Sequence, residues 1–410
     1  MRHLNRYLQL HPMQPVIDAQ PNKNLALAIV IPCLQEPDTL SLVEHLQACT
    51  LPDAAVEILI VVNQPADAHE SVREANAETL AQLRQWPAAT PKFQVHAIKA
   101  FDLPVKDAGV GMARKIGMDE AARRFTAIGK PDGIIVSLDA DCRVSENYLN
   151  GIIKAFEKHP AMHAATFSYA HRLQDITDAR HLKAITCYEL FLRYIELGWR
   201  YAGLPYAFTS IGSCFATRAN AYARHHGMNQ RKAGEDFYFL HKLARERPLS
   251  RIREVYVYPS ARMSSRTPFG TGQAVSDFYH GEKPDWQVVA PKFFEELRCM
   301  QQALPALFET ATEVWLRRLP ERLARFLEES GIEKATRSMR SHAASPATFC
   351  SRYFVWFDGL KAWRYVNRDD STMPIEKAAA ALMEKVGAVP AGSTASTLLE
   401  QFRQMAVNQD

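Results

Sequence analysis

Two carboxylates separated by one residue, Asp139 and Asp141, follow the apolar run GIIVSL at residues 133–138. Such a run is typical of a strand that is buried on both faces. Side chains at positions i and i+2 of extended backbone point the same way, so we expect both carboxylates to meet at the end of this strand. Their oxygens suit Mg²⁺ or Mn²⁺, which usually carry phosphates. The alternative is a polar loop with two solvated acids.

A second acidic pair, Glu235 and Asp236, follows Gly234 and opens the amphipathic segment FYFLHKLAR at residues 237–245. A carboxylate within hydrogen-bond reach of a hydroxyl can serve as a general base. Carboxylates also stabilise the positive end of any helix, so the pair has a purely structural explanation as well.

Basic side chains and glycines alternate in KDAGVGMARKIG, residues 106–117, which leads into the helical segment 118–125. Gly109 and Gly111 would permit close approach of the backbone to an anion near a helix N-terminus, with Arg114 and Lys115 nearby. A tight turn with solvated basic residues explains the same pattern.

Strand and helix patterns alternate over the first two thirds of the chain, which predicts an α/β fold with a mainly parallel, mixed sheet flanked by helices. Ligands of such sheets bind at the carboxyl ends of the strands. The predicted strands cover residues 25–34, 56–62, 93–98, 133–138, 164–170, 207–217 and 252–258. The predicted helices cover residues 40–49, 66–85, 118–125, 147–159, 183–201, 219–227 and 237–245.

The composition is that of a globular protein, with 47% hydrophobic and 23% charged residues among 410. A net charge of +4 is too small to indicate nucleic acid as a main partner. The seven cysteines lack paired spacing, which argues against a zinc site or disulfide framework. Because no signal peptide or bilayer-spanning run is evident, we expect a cytoplasmic protein, with peripheral contact at the inner face of the membrane as an alternative.

Three parts are expected: a loosely held N-terminal arm at 1–24, a sheet domain at 25–289 and a helical region at 290–410 with a flexible tail near residues 392–394. The segment 259–272 is rich in Arg, Ser, Thr and Gly and is long for a structureless loop, which is typical of functional lids. The aromatic and basic helix 353–368 has too many apolar residues for one membrane-facing side, so packing against the sheet domain is favoured.

Several motifs occur in an order that resembles the family 2 glycosyltransferases with the GT-A fold. They are IVIPCLQE at 29–36, VVN at 61–63, GVGMARKIGMDEA at 109–121, LDAD at 138–141 and GED at 234–236. The resemblance spans residues 25–272. Asn63 stands where many relatives have Asp, a difference that bears on recognition of the nucleobase or ribose. The Gln/Arg-x-x-Arg-Trp signature of processive synthases and transmembrane segments are both absent, so a processive synthase is not expected.

The resemblance implies a nucleotide-diphosphate sugar as donor, a divalent Mg²⁺ or Mn²⁺ and an acceptor that is a glycan, a lipid-linked molecule or a small molecule. Asp236 would be the catalytic base of an inverting displacement, with Glu235 near the acceptor. Asp141 would bind the cation, Asp139 the cation or the ribose, and His280 is the candidate for a third metal ligand. The remaining donor-binding candidates are Pro32, Glu36, Asn63, Lys106, Arg114 and Arg266.

Two other functions are considered. A sugar-phosphate nucleotidyltransferase also uses an α/β sheet and acidic metal ligands, but PCLQEP occupies the place where its glycine-rich, Lys-containing loop is expected. A non-catalytic nucleotide-sugar-binding protein is the other alternative. The presence of LDAD, GED and the Arg- and Gly-rich segment 259–272 together disfavours it. The donor sugar, the nucleobase, the acceptor and the oligomeric state are left open.

Overall fold

The computed structural model describes residues 1–87, 90–231, 234–264, 270–281, 285–368 and 371–408. Its strands are β1 Leu25–Cys33, β2 Ala55–Pro65, β3 Phe93–Leu103, β4 Ile134–Ser137, β5 Arg143–Val144, β6 Ala164–Tyr169, β7 Phe215–Arg218, β8 Ser250–Tyr258, β9 Gln287–Val289 and β10 Thr372–Pro374. Its α-helices are α1 Arg2–Leu10, α2 Thr39–Ala48, α3 Glu70–Arg84, α4 Val110–Ala127, α5 Tyr148–Lys158, α6 Ala179–Tyr201, α7 Ala219–Arg224, α8 Glu235–Ala244, α9 Thr271–Tyr279, α10 Lys292–Ala303, α11 Thr312–Leu316, α12 Glu321–Glu329, α13 Ile332–Ser341, α14 Pro346–Trp356, α15 Gly359–Val366, α16 Ile375–Lys385 and α17 Ala395–Asn408. Short 3₁₀ helices cover Leu173–Asp175 and Leu304–Phe308.

The main sheet has the strand order β3-β2-β1-β4-β7-β6-β8-β5. β3, β2, β1 and β4 are mutually parallel, β7 is antiparallel to both of its neighbours, and β6 and β8 are parallel to each other. β5 pairs antiparallel with β8, and β9 pairs with β10 in a separate small sheet. The prediction of a mixed, mainly parallel sheet flanked by helices is therefore confirmed.

β1 lies at the centre of the site-bearing half of the sheet, and its composition follows from burial on both faces. Leu27, Ile29 and Ile31 pack in one hydrophobic cluster with α2 and α5. Ala28 and Val30 pack in the cluster on the other face with α4 and α7. Because side chains alternate along a strand and both faces are covered by helices, a continuous apolar run is required here.

The C-terminal helices share one hydrophobic core with the long helix α6. Leu190, Tyr194 and Leu197 of α6 join this core together with Phe294 of α10 and Leu382 of α16. The aromatic-basic helix predicted at 353–368 is two helices, α14 and α15, which separate at Phe357, and their Tyr353 and Tyr365 are buried. Among the described residues, no helix is both long enough and apolar enough to cross a bilayer.

Three local expectations are wrong. The N-terminal arm is not loosely held, because α1 buries Leu4 and Tyr7. The tail predicted near residues 392–394 is a short connection, because helix α17 follows it and buries Leu398, Leu399 and Phe402. Of the strand predicted at 207–217, only β7 forms, because pairing with β4 begins at Phe215 and the preceding residues turn.

Candidate active site

The carboxyl ends of β2, β1 and β4 meet at one edge of the sheet, since the three strands are adjacent and parallel. Pro32 is buried near the end of β1, and Glu36 follows it with 9% of its surface exposed. Asn63 belongs to the end of β2 and is buried. Asp139 and Asp141 follow β4. The fold therefore brings these predicted site residues to the same edge of the sheet.

The two carboxylates after β4 lie on a turn rather than on extended backbone. β4 ends at Ser137, and the amide of Cys142 donates a hydrogen bond of 3.2 Å to the carbonyl of Asp139. Strand alternation therefore does not bring Asp139 and Asp141 together; the turn does. Burial, followed by the nearby charge of Asp139, raises the pKa of Asp141 to about 6.

Arg114 connects the first acidic pair with the second. Its guanidinium is 3% exposed, and it donates hydrogen bonds to the carboxylates of Asp139 and Glu235. Its Nε donates to Ser137 Oγ at 3.0 Å. The alternative in which Arg114 is a solvated side chain is therefore wrong. Its predicted contact with donor phosphates stays a prediction.

The two glycines near Arg114 lie at the start of a helix, with Gly109 as its N-cap residue. α4 begins at Val110, so Gly111 lies in its first turn. A Cβ on Gly111 would be 2.1 Å from the carbonyl oxygen of Arg231 and 3.1 Å from Cβ of Glu235. The close approach that requires this glycine is to the backbone before α8. The anion expected near this helix N-terminus stays a prediction.

Asp236 occupies the first turn of α8, next to the Arg114 cluster. Gly234 caps this helix in the left-handed region at φ 70°, which favours glycine. Burial raises the pKa of Asp236, the charge of Asp139 raises it further, and the charge of Arg114 opposes both. Its Oδ1 accepts a hydrogen bond of 2.7 Å from the amide of Phe237. A buried carboxylate with a raised pKa is suited to accepting a proton.

Arg262 is a site residue that sequence analysis did not single out. It lies after β8, in the Arg- and Ser-rich segment whose composition predicted a functional loop. Its Nη2 is 3.1 Å from Asp141 Oδ2 and also hydrogen-bonds Glu36. Arg262 and Glu36 are 226 residues apart in the chain, so no local pattern could pair them.

The described site is rich in negative charge. Its carboxylates are Glu36, Asp139, Asp141, Glu235 and Asp236, and the arginines beside them are Arg114 and Arg262. The Asp139 and Asp141 side chains remain 35% and 20% exposed. Among the described residues no group of three or more His, Cys, Asp or Glu could hold a metal ion. Two accessible carboxylates without a full protein cage fit Mg²⁺ or Mn²⁺, which usually retain waters and bind substrate phosphates.

Asn76 of α3 hydrogen-bonds the backbone that follows β1 and the backbone near the end of β2. Its side chain accepts from the amide of Gln35 at 2.8 Å and donates to the carbonyl of Asn63 at 3.1 Å. Gln35 adopts φ 48°, a left-handed conformation that non-glycine residues rarely take. The hydrogen bonds of Asn76 therefore position the backbone before Glu36. No sequence motif indicated this role of Asn76.

The other predicted site residues lie outside this cluster or outside the described residues. Lys106 is exposed on the connection between β3 and α4. His280 is exposed after α9, with its ring against Tyr279. Arg266 lies outside the described residues. The roles predicted for these three residues stay predictions.

Residues 134–368 match the family described as Glycosyl transferase family group 2, which covers more than half of the chain. The chain is a family 2 glycosyltransferase. The match begins at β4 and ends after α15, so both acidic pairs and Arg262 of this glycosyltransferase lie within it. The predicted resemblance to the family is confirmed.

Two solved structures are similar to this family 2 glycosyltransferase at low identity. S. aureus TarS 1-349 in complex with UDP-GlcNAc has 10% identity and a TM-score of 0.41, covering 81% of this chain and 91% of that chain. The mannosyltransferase PcManGT from Pyrobaculum calidifontis in complex with GDP-Man and Mn²⁺ has 13% identity and a TM-score of 0.37, covering 100% of this chain and 88% of that chain. No curated protein sequence matches the chain significantly.

Proposed function

We propose that this glycosyltransferase moves a sugar from a nucleoside-diphosphate sugar to an acceptor hydroxyl in a reaction that depends on a divalent cation. One observation carries the proposal: the carboxylates of two distant segments, 139–141 and 235–236, share a single cluster around Arg114 at the ligand-binding edge of the sheet. A purely structural role for either pair would not require the other one beside it.

The donor's diphosphate belongs on the Asp139–Asp141 side of the cluster. Asp141 and Asp139 would hold Mg²⁺ or Mn²⁺, which would supply positive charge to the leaving nucleoside diphosphate. Pro32, Glu36 and Asn63 would border the nucleoside, because Pro32 and Glu36 lie at and just after the end of β1, the neighbour of β4, and Asn63 lies near the end of β2, the next strand. Lys106 and Arg266 are further candidates for phosphate contacts.

Asp236 would accept the proton of the acceptor hydroxyl as the new glycosidic bond forms. Its raised pKa makes the carboxylate a stronger base, and its place beside Arg114 is close to the diphosphate side of the cluster. A single in-line displacement inverts the anomeric centre. Glu235 would orient this region through its ion pair with Arg114. The acceptor is a glycan, a lipid-linked molecule or a small molecule.

A thermal-shift screen of nucleoside-diphosphate sugars, with and without Mn²⁺, tests donor binding, because a ligand that binds only the folded chain raises its melting temperature. We expect one donor to raise it, and more so with Mn²⁺. Incubation of that donor with candidate acceptors should then release nucleoside diphosphate. Release of pyrophosphate from a nucleoside triphosphate and a sugar phosphate would contradict the proposal.

A further inference from the structure

The Arg262 guanidinium occupies the place beside Asp141 that a divalent cation would also need. Its Nη2 lies 3.1 Å from Asp141 Oδ2 and hydrogen-bonds Glu36 as well. Negative charge gathers around Asp141, since both Asp139 and Glu36, the second carboxylate that Arg262 contacts, raise its pKa. A positive charge at this position is therefore stabilised whether it belongs to a guanidinium or to a metal ion.

The loop backbone holds Arg262 at the site. His181 of α6 places its Nε2 2.7 Å from the carbonyl oxygen of Ala261. The amide of Arg262 donates to Ser260 Oγ at 3.3 Å, and the amide of Ser264 donates to the carbonyl of Gly272 at 3.3 Å. These contacts fix the backbone on both sides of Arg262, while its side chain is one-third exposed.

We propose that Arg262 is the resident counter-ion of Asp141, which a divalent cation must displace and which then binds the donor's diphosphate. The inference rests on the proposed cation-dependent donor binding and adds a donor-binding residue to it. Asp141 cannot hold a guanidinium and a metal ion in the same place, so the two compete for it. An arginine released from a carboxylate is well suited to a diphosphate, because its planar fork matches phosphate oxygens.

This competition predicts opposite effects on two affinities when Arg262 is neutralised. Without a competitor, Mn²⁺ should bind the nucleotide-free chain about fivefold more tightly, at the low end of usual coupling between sites. Without its phosphate contact, the Mn²⁺-saturated chain should bind nucleoside diphosphate about tenfold more weakly. A merely structural role for Arg262 would weaken both affinities.

The experiment compares the full-length chain with R262Q, R262K and R143Q. Mn²⁺ binding is measured by electron paramagnetic resonance of the free ion, and UDP and GDP binding by calorimetry at saturating Mn²⁺. Arg143 is the matched control, because it lies near Asp141 but donates to Ser41 Oγ and to the carbonyl of Cys142. R262K should remain close to the unmodified chain in Mn²⁺ affinity, since it retains the charge.

Tighter Mn²⁺ binding with weaker diphosphate binding in R262Q alone supports the inference. Unchanged or weaker Mn²⁺ binding in R262Q overturns it, and so does an equal gain in R143Q, which would indicate a general charge effect. If the unmodified chain binds neither diphosphate in an Mn²⁺-dependent way, the proposed cation dependence itself is wrong. That result is distinct from a failure of Arg262 to compete.

Discussion

At the scale of single residues, the carboxylates of the site differ in their surroundings and therefore in what they can do. Glu235 is buried against Arg114, whereas Asp141 keeps an accessible side chain with a raised pKa. Asp236 combines a raised pKa with a place beside the same arginine. A buried carboxylate paired with an arginine, such as Glu235, is suited to positioning its neighbours. A carboxylate with a raised pKa, such as Asp141 or Asp236, is suited to binding a proton or a cation.

Replacing the proposed base should affect turnover without affecting donor binding. We expect Asp236→Asn to lower kcat by about 10²–10⁴-fold, the usual contribution of a general base. The donor-induced rise in melting temperature should be retained, because the amide preserves the shape of the side chain. A variant that turns over normally would show that another group accepts the proton.

Removing Asp141 should abolish the cation-dependent part of donor binding. For Asp141→Ala, we expect the donor to raise the melting temperature equally with and without Mn²⁺, because one of the two cation ligands is lost. Asp132→Ala is the matched control, since Asp132 is exposed and precedes the opposite end of β4. An Mn²⁺ response that survives in Asp141→Ala would place the cation elsewhere.

At the scale of elements, a buried ion network joins α6 to α17. Glu189 of α6 accepts hydrogen bonds from Arg193 and from Arg403 of α17, and its Oε2 lies 3.0 Å from Nδ1 of His171. Burial favours a raised pKa for Glu189, but the hydrogen bonds from Arg403 and His171 and the charge of Arg193 bring the pKa well below its usual value. The ionised carboxylate therefore stabilises the folded chain.

The network predicts a pH-dependent loss of stability in Glu189→Gln. A carboxyl whose pKa is depressed on folding contributes fully above its unfolded pKa of about 4.3, and the contribution is lost as pH falls toward the folded pKa. At pH 7 we expect Glu189→Gln to lower the free energy of unfolding by about 3 kcal/mol, because it leaves two arginines without their carboxylate.

Urea unfolding at pH 7 and at pH 3.5 measures both parts of this prediction. The difference in the free energy of unfolding between Glu189→Gln and the unmodified chain should be smaller at pH 3.5 than at pH 7. Glu400→Gln on the exposed side of α17 should unfold like the unmodified chain at both values. A difference that stays constant with pH would contradict the ionic origin of the effect.

At the scale of the whole molecule, the sheet and the C-terminal helices are joined through α6. Glu189 of this helix belongs to the ion network and contacts His171. Tyr188 of the same helix packs against the rings of Phe191 and Trp286. Because the pKa of Tyr188 responds to Asp236, the same helix also lies near the proposed base. The C-terminal helices therefore pack on the same helix that carries Tyr188 and Glu189.

A chain shortened to end at Lys385, without α17, should melt several degrees lower. The truncation removes the buried side chains of Leu398, Leu399 and Phe402 and exposes the apolar surface that they cover. Burial of each such side chain contributes about 1.5–3 kcal/mol to the free energy of unfolding. The truncation also removes Arg403 from Glu189. Calorimetry provides the comparison, with Val389→Ser as the control because Val389 is 83% exposed. An unchanged melting temperature would show that α17 contributes nothing to stability.

The strands β1, β2 and β4 could be predicted from sequence because buried parallel strands need continuous apolar runs, which are local in the chain. The same reasoning placed Asp139 and Asp141 at the end of β4. The motif order then led to the family, which the match confirms. Local sequence therefore determined the sheet and the edge where ligands bind.

Only the tertiary structure decided which charges meet. Arg114 lies 121 residues from Glu235, and Arg262 lies 226 residues from Glu36, so neither pair leaves a periodic signal. Gly111 was expected to approach an anion, and the structure shows that it approaches the carbonyl of Arg231. The partner of a buried polar group is set by long-range packing, because any nearby group of opposite charge can satisfy it.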